Sequence, residues 1–315
     1  MDILILRQED VQNLLDPDSL LDALAGGFKS LSEGKVVAPR RNELNIAEAG
    51  FVLGMPAWQP QNDAAIKLVS VFHSNHQVGL PAHQALICLF DAQTGTPISI
   101  MDGTSITAMR TAGAAALSTR LLARGDASVL AILGAGVQGN AHLQLLPRVR
   151  DFRDIRIASR DFSHAQQLAA THSLARPVES FEGAVRGADV ICLCSSSNTP
   201  IISADWLSPG AHVTSVGYAP PGGELERGVI ARGRIFVETR LAFEPPPVGC
   251  SELAGLDPKT GAELGEVLLG QRPGRQFDQD ITVYKAMGHA MEDMIAANLV
   301  YQRAREQGIG QRVGL

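Results

Sequence analysis

The sequence predicts an α/β protein of two domains, one with a doubly wound parallel sheet and one of α+β type. From residue 128 onward, short apolar runs alternate with helical patterns, which is typical of parallel strands joined by right-handed crossovers. Before residue 102, two helical patterns precede several short strands and a hairpin-type turn at 91–96. Because 315 residues exceed the size of most single cores, two domains are expected.

The first domain is expected to combine helices with an antiparallel sheet. Residues 2–6 are predicted to form a strand, Asp10 to cap a short helix, and residues 17–32 to form a second helix that ends at Gly34. Further strands are predicted at 51–55, 64–71, 85–90 and 97–101. A helix rich in small residues, 107–123, is then expected to link the two domains.

The second domain is expected to alternate strands and helices. Its strands are predicted at 128–133, 155–159, near 178, and at 189–193, 212–216 and 235–237. The chain is predicted to end in a long helical region from Thr282 to Arg305, broken near Gly288. We therefore expect residues 1–118 with 286–315 to form the first domain, and residues 119–285 to form the second.

A glycine motif follows the first strand of the second domain. Six mostly apolar residues precede Gly134-Ala135-Gly136-Val137-Gln138-Gly139, and a helical pattern follows it. This context favours a dinucleotide-binding, Rossmann-type turn over an ordinary glycine-rich turn. Gly134 would allow the tight turn, Gly136 the approach of a pyrophosphate and Gly139 close packing of helix and strand. Val137 and Gln138 begin the helix, whose free N–H groups would face the phosphates.

The residues after the second strand bear on the choice of cofactor. An NAD-preferring site usually has Asp or Glu there, whereas this chain has Ser159-Arg160. Arg can pair with a 2′-phosphate and stack on adenine, so the sequence favours NADPH. A solvated Arg160 with NADH as cofactor is the alternative. Ser195 and Ser196 follow the fourth strand, where loops line a cofactor crevice, although a plain polar loop would look the same.

Three cations adjoin apolar segments and are candidate ligands of a substrate carboxylate. Lys67 lies inside an apolar strand, Arg110 inside the helix of small residues, and Arg41 shortly after Pro39. Arg can grip a carboxylate in bidentate fashion. A structural ion pair is the alternative for Lys67 and Arg110, because unpaired buried charges are costly. For Arg41 alone, a surface position is the alternative.

Several classes of protein and site are not favoured by the sequence. The net charge is −6 with no basic block, so no nucleic-acid partner is expected, and no apolar run reaches membrane-spanning length. The first residues lack the features of a signal peptide, and the cysteines lack metal spacing; a reducing cytoplasm is expected. His73, His76 and His83 have no carboxylate at metal spacing, so no metal site is expected.

These residues lie in stretches that resemble the ornithine cyclodeaminase/mu-crystallin family. The stretches that carry the resemblance are Lys67-Leu68-Val69, Leu80-Pro81-Ala82-His83-Gln84, Thr94-Gly95-Thr96-Pro97, Met101-Asp102-Gly103, Thr107-Ala108-Met109-Arg110-Thr111-Ala112, Gly134-Ala135-Gly136-Val137-Gln138-Gly139, Ser215-Val216-Gly217, Tyr284-Lys285-Ala286-Met287-Gly288 and Glu292-Asp293. The resemblance covers nearly the whole chain.

The resemblance implies a homodimer in which one domain binds substrate and forms the dimer, and a Rossmann domain binds the cofactor. In such enzymes, the residues matching Arg41, Lys67 and Arg110 hold the amino-acid carboxylate. The residue matching Thr111 helps bind the cofactor phosphates. The Ser215-Val216-Gly217 stretch assigns Val216 and Gly217 to the cofactor site as well.

One departure from the family pattern concerns the reaction. Ornithine cyclodeaminases of this family carry an Asp directly after the glycine that matches Gly217, whereas this chain has Tyr218. The sequence therefore looks more like the family's imine reductases, with Tyr218 at the substrate. Reducing a cyclic imine requires a hydride, a protonated nitrogen and a fixed carboxylate, so positioning does most of the work.

The resulting hypothesis is an NAD(P)H-dependent reductase of small cyclic α-imino acids, with proline- or pipecolate-like products. An ornithine cyclodeaminase in which Glu224 or a water replaces the missing Asp is the runner-up. Reductive amination of the alanine dehydrogenase type is a related option. A non-catalytic protein that binds NADPH and a small ligand is the alternative from another class.

Overall fold

The computed structural model describes residues 2–314, except for the side chains of His73 and His76. The chain divides into two compact units. The first unit comprises Met1–Arg110 and His289–Leu315, and the second comprises Thr111–Gly288. The division falls inside a helix that begins at Gly103.

The elements follow the chain in this order. The first part contains β1 (Asp2–Leu6), α1 (Gln8–Leu14), α2 (Pro17–Ser32), β2 (Asn42–Ile46), β3 (Gly50–Ala57), β4 (Ala64–Val71), β5 (His83–Phe90), β6 (Pro97–Asp102) and α3 (Gly103–Leu122). The middle part contains β7 (Val129–Leu133), α4 (Val137–Leu145), β8 (Asp154–Ala158), α5 (Phe162–Ala169), β9 (Ala175–Pro177), α6 (Phe181–Val185), β10 (Val190–Leu193) and β11 (His212–Ser215). The last part contains α7 (Arg227–Arg232), β12 (Gly233–Val237), β13 (Ala262–Glu263), α8 (Leu264–Leu268), β14 (Ile281–Lys285), α9 (Ala290–Gln307) and β15 (Gln311–Gly314).

The second unit contains a parallel sheet, as the sequence predicts. Its strand order is β13-β12-β14-β11-β10-β7-β8-β9, and every pairing is parallel. The strands read as continuous apolar runs because both faces are buried; Ile132, Ile191 and Val213 have no exposed surface. The order reverses between β7 and β10, so the loops after these two strands flank the crevice where such sheets bind ligands.

The first unit contains a seven-stranded sheet of order β15-β1-β6-β5-β4-β3-β2. The antiparallel prediction is correct for β2 to β6 but wrong for β1, which pairs with β6 in parallel. The helices and strands between them provide the crossover that a parallel pair requires. On its other edge β1 pairs with β15, a polar C-terminal strand that has too little alternation to be predicted locally.

The two faces of this sheet differ in burial. Lys67 lies directly opposite Ile87, which lies opposite Met101; all three side chains share the face against which α9 packs and are buried. Leu68 and Leu86, on the other face, are 44% and 40% exposed. Lys67 is therefore directed into the core of the unit.

Two helix starts differ from the predictions for a local reason. Asp10 is not the cap of the first helix; Arg7 is the N-cap, and the Asp10 carboxylate accepts a hydrogen bond from the Arg7 N–H at 2.9 Å. The helix expected to start at 107 starts at Gly103 instead. Asp102 accepts hydrogen bonds from the Thr104 and Ser105 N–H groups, which is how an N-cap satisfies the first donors of a helix.

The predicted helical region at 282–305 is wrong in its first turn. Ile281–Lys285 is the strand β14, which lies between β11 and β12 in the parallel sheet. Its β-branched and aromatic residues favour a strand, but a short apolar run by itself does not distinguish a strand from a helix. Gly288, with φ of +72°, precedes α9. Strands β2 and β13 were also not predicted.

None of the helices in residues 2–314 is long and apolar enough to span a bilayer.

Candidate functional site

The glycine turn, residues 134–139, has a geometry that explains each glycine. Gly134 has φ of +118°, a conformation that side chains rarely adopt, and a Cβ there would collide with the carbonyl of Cys194. A Cβ at Gly139 would collide with the carbonyl of Gly134, which accounts for the close approach of strand and helix. At Gly136 a Cβ would meet nothing within 4 Å. The surface over Gly136 is therefore open to a ligand.

The turn leads directly into the N-terminus of α4. Gly136 is the N-cap and provides no side-chain hydrogen bond, and Val137 and Gln138 are the first two helical residues. The first N–H groups of a helix have no partner within it, and the helix dipole favours an anion there. The turn thus has the donors and the open space that a pyrophosphate needs.

The end of the second strand of the parallel sheet carries the predicted cofactor residues Ser159 and Arg160. They directly follow β8, which is next to β7. Arg160 is exposed and Ser159 is half-buried. The next residue, Asp161, caps α5 by accepting hydrogen bonds from the N–H and hydroxyl of Ser163 at 2.9 and 2.7 Å. Its carboxylate is therefore engaged in the helix cap.

The loops that follow β10 and β11 are joined by a buried carboxylate. Glu224 has no exposed surface and accepts hydrogen bonds from the N–H and hydroxyl of Ser195 at 2.8 and 2.7 Å. It also accepts from the Ser215 hydroxyl at 3.0 Å and the Gly217 N–H at 2.7 Å. The structure thus brings the predicted cofactor residues Ser195 and Gly217 together, whereas Ser196 is exposed beside them.

A buried lysine contacts the same loop from the neighbouring strand. Lys285, the last residue of β14, donates to the Gly217 carbonyl at 2.6 Å and to the Ser215 hydroxyl at 3.1 Å. Its Nζ also lies 3.1 Å from a Glu252 carboxylate oxygen. Burial alone would lower the pKa of Lys285, but Glu252 and other nearby groups raise it above its usual value, so the lysine is held as a cation.

The first unit holds Lys67 and Arg110 in a buried group that we call the charge cluster: Lys67, Arg110, Glu292 and Asp293. Lys67 Nζ lies 2.6 Å from Asp293 Oδ2, and Arg110 Nε lies 2.9 Å from Asp293 Oδ1. Arg110 Nη1 lies 3.3 Å from Glu292 Oε2. The two cations that the sequence singled out are therefore brought together by one carboxylate.

The start of α9 orients the two acids. His289 is the N-cap, and Glu292 Oε1 accepts a hydrogen bond from the His289 N–H at 2.7 Å. This capping box fixes Glu292, and the positive end of the helix dipole favours both carboxylates in its first turn. The helix then packs against β3, β4 and β5, which places Asp293 at Lys67.

The electrostatics of the cluster follow from burial and neighbouring charge. Burial is the largest cause that lowers the pKa of Lys67; with the opposing charge of Asp293 and the lowering charges of Arg110 and Arg41, the pKa is about 8. Burial would raise the pKa of Asp293, but Arg110 and Lys67 hold it below its usual value. Lys67 is therefore a cation near neutral pH that loses its proton more readily than an exposed lysine. Arg41 itself is half-buried, just before β2.

Two half-buried histidines lie near the cluster. His83 begins β5 on the same face of the sheet as Lys67, and burial together with the charges of Lys67 and Arg110 lowers its pKa to about 4. Burial and the charge of Arg41 lower the pKa of His289 to about 4 as well. Both imidazoles are therefore neutral at physiological pH, and His289 Nδ1 accepts a hydrogen bond from the Met291 N–H at 3.1 Å.

The remaining predicted residues occupy separate places. Thr111 is a buried residue of α3 in the second unit. Val216, Gly217 and Tyr218 follow β11 and are half-buried. Within the part of the chain that the structure describes, no three His, Cys, Asp or Glu side chains are grouped as metal ligands.

Sequence reasoning missed the counter-ions of these sites. The resemblance alone singles out Glu292 and Asp293, yet two adjacent acids in an otherwise apolar helical stretch indicate buried pairing. Lys285 ends an apolar run in the same way. The sequence offers Glu224 only as a substitute base, and no local pattern reveals that it joins two loops.

Comparison with known proteins places these features in a family. The family model described as "Ornithine cyclodeaminase/mu-crystallin family" matches residues 1–308. The chain is similar to the ketimine reductase mu-crystallin of Mus musculus, with 36% identity over 304 residues, 94% of this chain and 96% of that protein. It is also similar to a Δ1-pyrroline-2-carboxylate reductase of Bacillus cereus, with 30% identity over 99% of both chains.

A solved structure gives the same result for the fold. The Δ1-pyrroline-2-carboxylate reductase of Thermococcus litoralis, described in complex with NADH and L-proline, superimposes with a TM-score of 0.94 at 30% identity over 99% of this chain and 100% of that chain. The fold class predicted from the sequence, a Rossmann-type parallel sheet with an α+β unit, is confirmed. The chain belongs to the ornithine cyclodeaminase/mu-crystallin family.

Proposed function

We propose that this protein is an NAD(P)H-dependent reductase that converts small cyclic α-imino acids, such as Δ1-pyrroline-2-carboxylate or Δ1-piperideine-2-carboxylate, to L-proline or L-pipecolate. The observation that carries the proposal is the buried pair of cations, Lys67 and Arg110, in a chain that also has an open glycine turn and no acid at position 218. Relatives described as ketimine and pyrroline-carboxylate reductases support it.

The second unit supports a role as the dinucleotide-binding domain. The positive φ of Gly134, the open surface over Gly136 and the free N-terminus of α4 fit a pyrophosphate. A bound nicotinamide cofactor supplies the hydride. Ser195 and Gly217 flank the crevice on the far side of β7, where the second half of a dinucleotide lies in this fold.

Arg160 supports NADPH as the preferred cofactor. Its guanidinium is exposed at the end of β8, and the neighbouring carboxylate of Asp161 is engaged in capping α5. The Asp161 carboxylate accepts from Ser163, and the exposed Arg160 can pair with a 2′-phosphate. NADH, which a structural relative is described as binding, is the alternative cofactor.

The first unit supports a role in holding the substrate carboxylate. Arg41, Lys67 and Arg110 are the proposed ligands, because a buried carboxylate needs cationic donors. Asp293 holds Lys67 and Arg110 in fixed positions before any substrate arrives. A pre-organised carboxylate site orients the C=N bond, whose carbon then accepts the hydride while its nitrogen keeps a proton.

The environment of Glu224 argues against the cyclodeaminase alternative. A general base needs a lone pair directed at the substrate, whereas both oxygens of this carboxylate accept hydrogen bonds from Ser195, Ser215 and Gly217. With Tyr218 in the position of the family's Asp, Glu224 therefore does not provide the missing acid.

A homodimer is proposed from the outer face of the first unit's sheet. Leu44, Leu68 and Leu86 are 67%, 44% and 40% exposed on this face, and grouped exposed apolar side chains favour an interaction surface. Sedimentation at micromolar concentration should give a dimer, and Leu68→Glu with Leu86→Glu should give a monomer. Phe277→Glu, at an exposed apolar residue of the second unit, is the matched control.

The proposed reaction is tested by following NADPH and NADH oxidation with pyrroline- and piperideine-carboxylate, and ammonia release from ornithine with NAD. We expect imine reduction and negligible ammonia. Tyr218→Asp should not improve imine reduction, because an anion beside a cationic iminium stabilises the ground state without helping hydride transfer. Brisk, stoichiometric ammonia release by the wild type without imine reduction would overturn the proposal.

A further inference from the structure

The environment of Glu224 suggests a role that neither the reaction nor the cofactor motif assigns to it. Its Oε2 accepts from the N–H and hydroxyl of Ser195, after β10, and its Oε1 accepts from the Ser215 hydroxyl and the Gly217 N–H, after β11. One carboxylate thus satisfies donors from two loops that the parallel pairing of β10 and β11 places side by side. Hydrogen bonds to a carboxylate are stronger than those between neutral groups.

Lys285 completes the arrangement from the other side of Gly217. Its ammonium donates to the Gly217 carbonyl, while Glu224 accepts from the Gly217 N–H, so both polar groups of this residue are fixed. A Cβ on Gly217 would lie 2.6 Å from Glu224 Cδ and 2.5 Å from the Ser195 carbonyl oxygen. The two loops are therefore packed as closely as a residue without a side chain allows.

We propose that Glu224 and Lys285 are positioning residues: together they set the distance between the loops after β10 and β11, so that the nicotinamide half of the cofactor is held for hydride transfer. The inference rests on the proposed function for the identity of the ligand. Because the residue after Gly217 is Tyr218, the same contacts also set the backbone position of the residue that distinguishes this chain from the cyclodeaminases.

The chemistry of the contacts explains why a carboxylate is required at 224. Each oxygen of Glu224 faces one backbone N–H, that of Ser195 or that of Gly217. An amide side chain has one oxygen and one NH₂ group, so Gln would direct its NH₂ group at one of these N–H donors. Glu224→Gln should therefore separate the loops although it preserves the size of the side chain.

The test compares the binding of NADH with that of ADP-ribose, which lacks nicotinamide, by calorimetry on the full-length protein. In Glu224→Gln we expect the affinity for NADH to fall by about 10-fold, which corresponds to about 1.4 kcal/mol, while the affinity for ADP-ribose stays within about twofold. The kcat for imine reduction should fall by up to about 100-fold, the effect that a shift of about 1 Å can have on aligned reactants. The primary isotope effect with deuterated NADH should rise.

Glu226→Gln is the matched control. Glu226 is two residues away and also accepts a hydrogen bond from a backbone N–H at 2.6 Å, but its donor is Ala204, in a short 3₁₀ turn, rather than Ser195 or Gly217. We expect this variant to lose stability without changing the ratio of NADH to ADP-ribose affinity. Hydrogen exchange at the Ser195 and Gly217 amides should be faster in Glu224→Gln and unchanged in Glu226→Gln.

The outcomes separate the two proposals. If the wild type does not reduce imines, the proposed reaction fails. The positioning role still stands in that case if Glu224→Gln binds NADH more weakly than the wild type does but binds ADP-ribose equally well. If Glu224→Gln weakens NADH and ADP-ribose equally, or has the affinities and amide exchange of the wild type, the positioning role is wrong. If Glu224→Gln does not fold, Ser215→Ala provides the test, because it removes a hydroxyl that contacts both Glu224 and Lys285. This variant should lower the affinity for NADH and leave that for ADP-ribose unchanged. If neither affinity changes, the proposal is contradicted.

Discussion

The glycine turn of the second unit and the charge cluster of the first unit are built in opposite ways. The turn is local: residues 134–139 present backbone N–H groups and an open surface, and each glycine is explained by neighbours in the same strand-turn-helix unit or the adjacent strand. The cluster joins Lys67, Arg110 and Asp293 through side chains from a strand and two helices far apart in sequence. A local backbone site has a sequence motif, whereas a side-chain site depends on packing.

The largest effects on folding and cofactor binding are expected in the glycine turn. There, two substitutions of Gly by Ala should have different consequences. Gly139→Ala should prevent stable folding, because its Cβ would collide with the Gly134 carbonyl. Gly136→Ala should fold with unchanged thermal stability, because its Cβ meets nothing within 4 Å, but it should lose dinucleotide binding. Thermal unfolding and calorimetry check both; undiminished cofactor affinity in Gly136→Ala would contradict the site.

A large effect is also expected on removing the shared carboxylate of the charge cluster. Asp293→Ala leaves Lys67 and Arg110 poorly compensated in the core, which should lower the free energy of unfolding by about 3–5 kcal/mol. Urea unfolding measures the change. Glu182→Ala, which removes an exposed ion pair to Arg186, is the control and should cost about 1 kcal/mol or less. Equal costs would mean that burial does not distinguish the two ion pairs.

The cations of the cluster should matter for turnover. Lys67→Ala and Arg110→Ala should each lower kcat/KM by an amount equivalent to about 2–5 kcal/mol, since each removes a proposed cationic partner of the substrate carboxylate. The losses in the double variant should be less than additive if, as proposed, both residues bind one substrate carboxylate. Steady-state kinetics with a cyclic imine check this, and full additivity would indicate that the two cations act on separate groups.

A smaller effect is expected at the cofactor's adenosine end. NADPH should bind more tightly than NADH, and Arg160→Ala should narrow the difference by about 1.5–3 kcal/mol, or roughly 10- to 150-fold in affinity. Because Arg160 is exposed, thermal stability should stay at the wild-type value. Equal dissociation constants of the two cofactors for the wild type would rule out this role.

The smallest effect is a dependence of substrate binding on pH. The pKa of Lys67 is about 8, so KM for the imino acid should rise as pH increases through that value, and Lys67→Arg should abolish the rise because Arg stays charged. The unfolded chain binds this proton up to a pKa of about 10.5, so between pH 8 and 10.5 the Lys67 contribution raises the free energy of unfolding as pH rises. Lys67→Met should lack that increase, and a flat wild-type profile would show that Lys67 does not titrate there.

The sequence alone determined the features that depend on neighbours in the chain. The glycine turn, the alternation of the parallel strands and the positions of Lys67 and Arg110 were predictable, because turn chemistry and periodicity act over a few residues. The strand β14 was mistaken for helix, since a short apolar run acquires its state from the strands beside it.

Only the tertiary structure decided which groups meet. Asp293 binds two cations because α9 packs on the sheet face that carries Lys67, and Glu224 joins two loops because β10 and β11 are paired. The edge pairing of β1 with β15 arose in the same way. These contacts connect residues that are distant in the chain. A buried charge is paired only when whole helices and strands pack together, and no local sequence pattern encodes that packing.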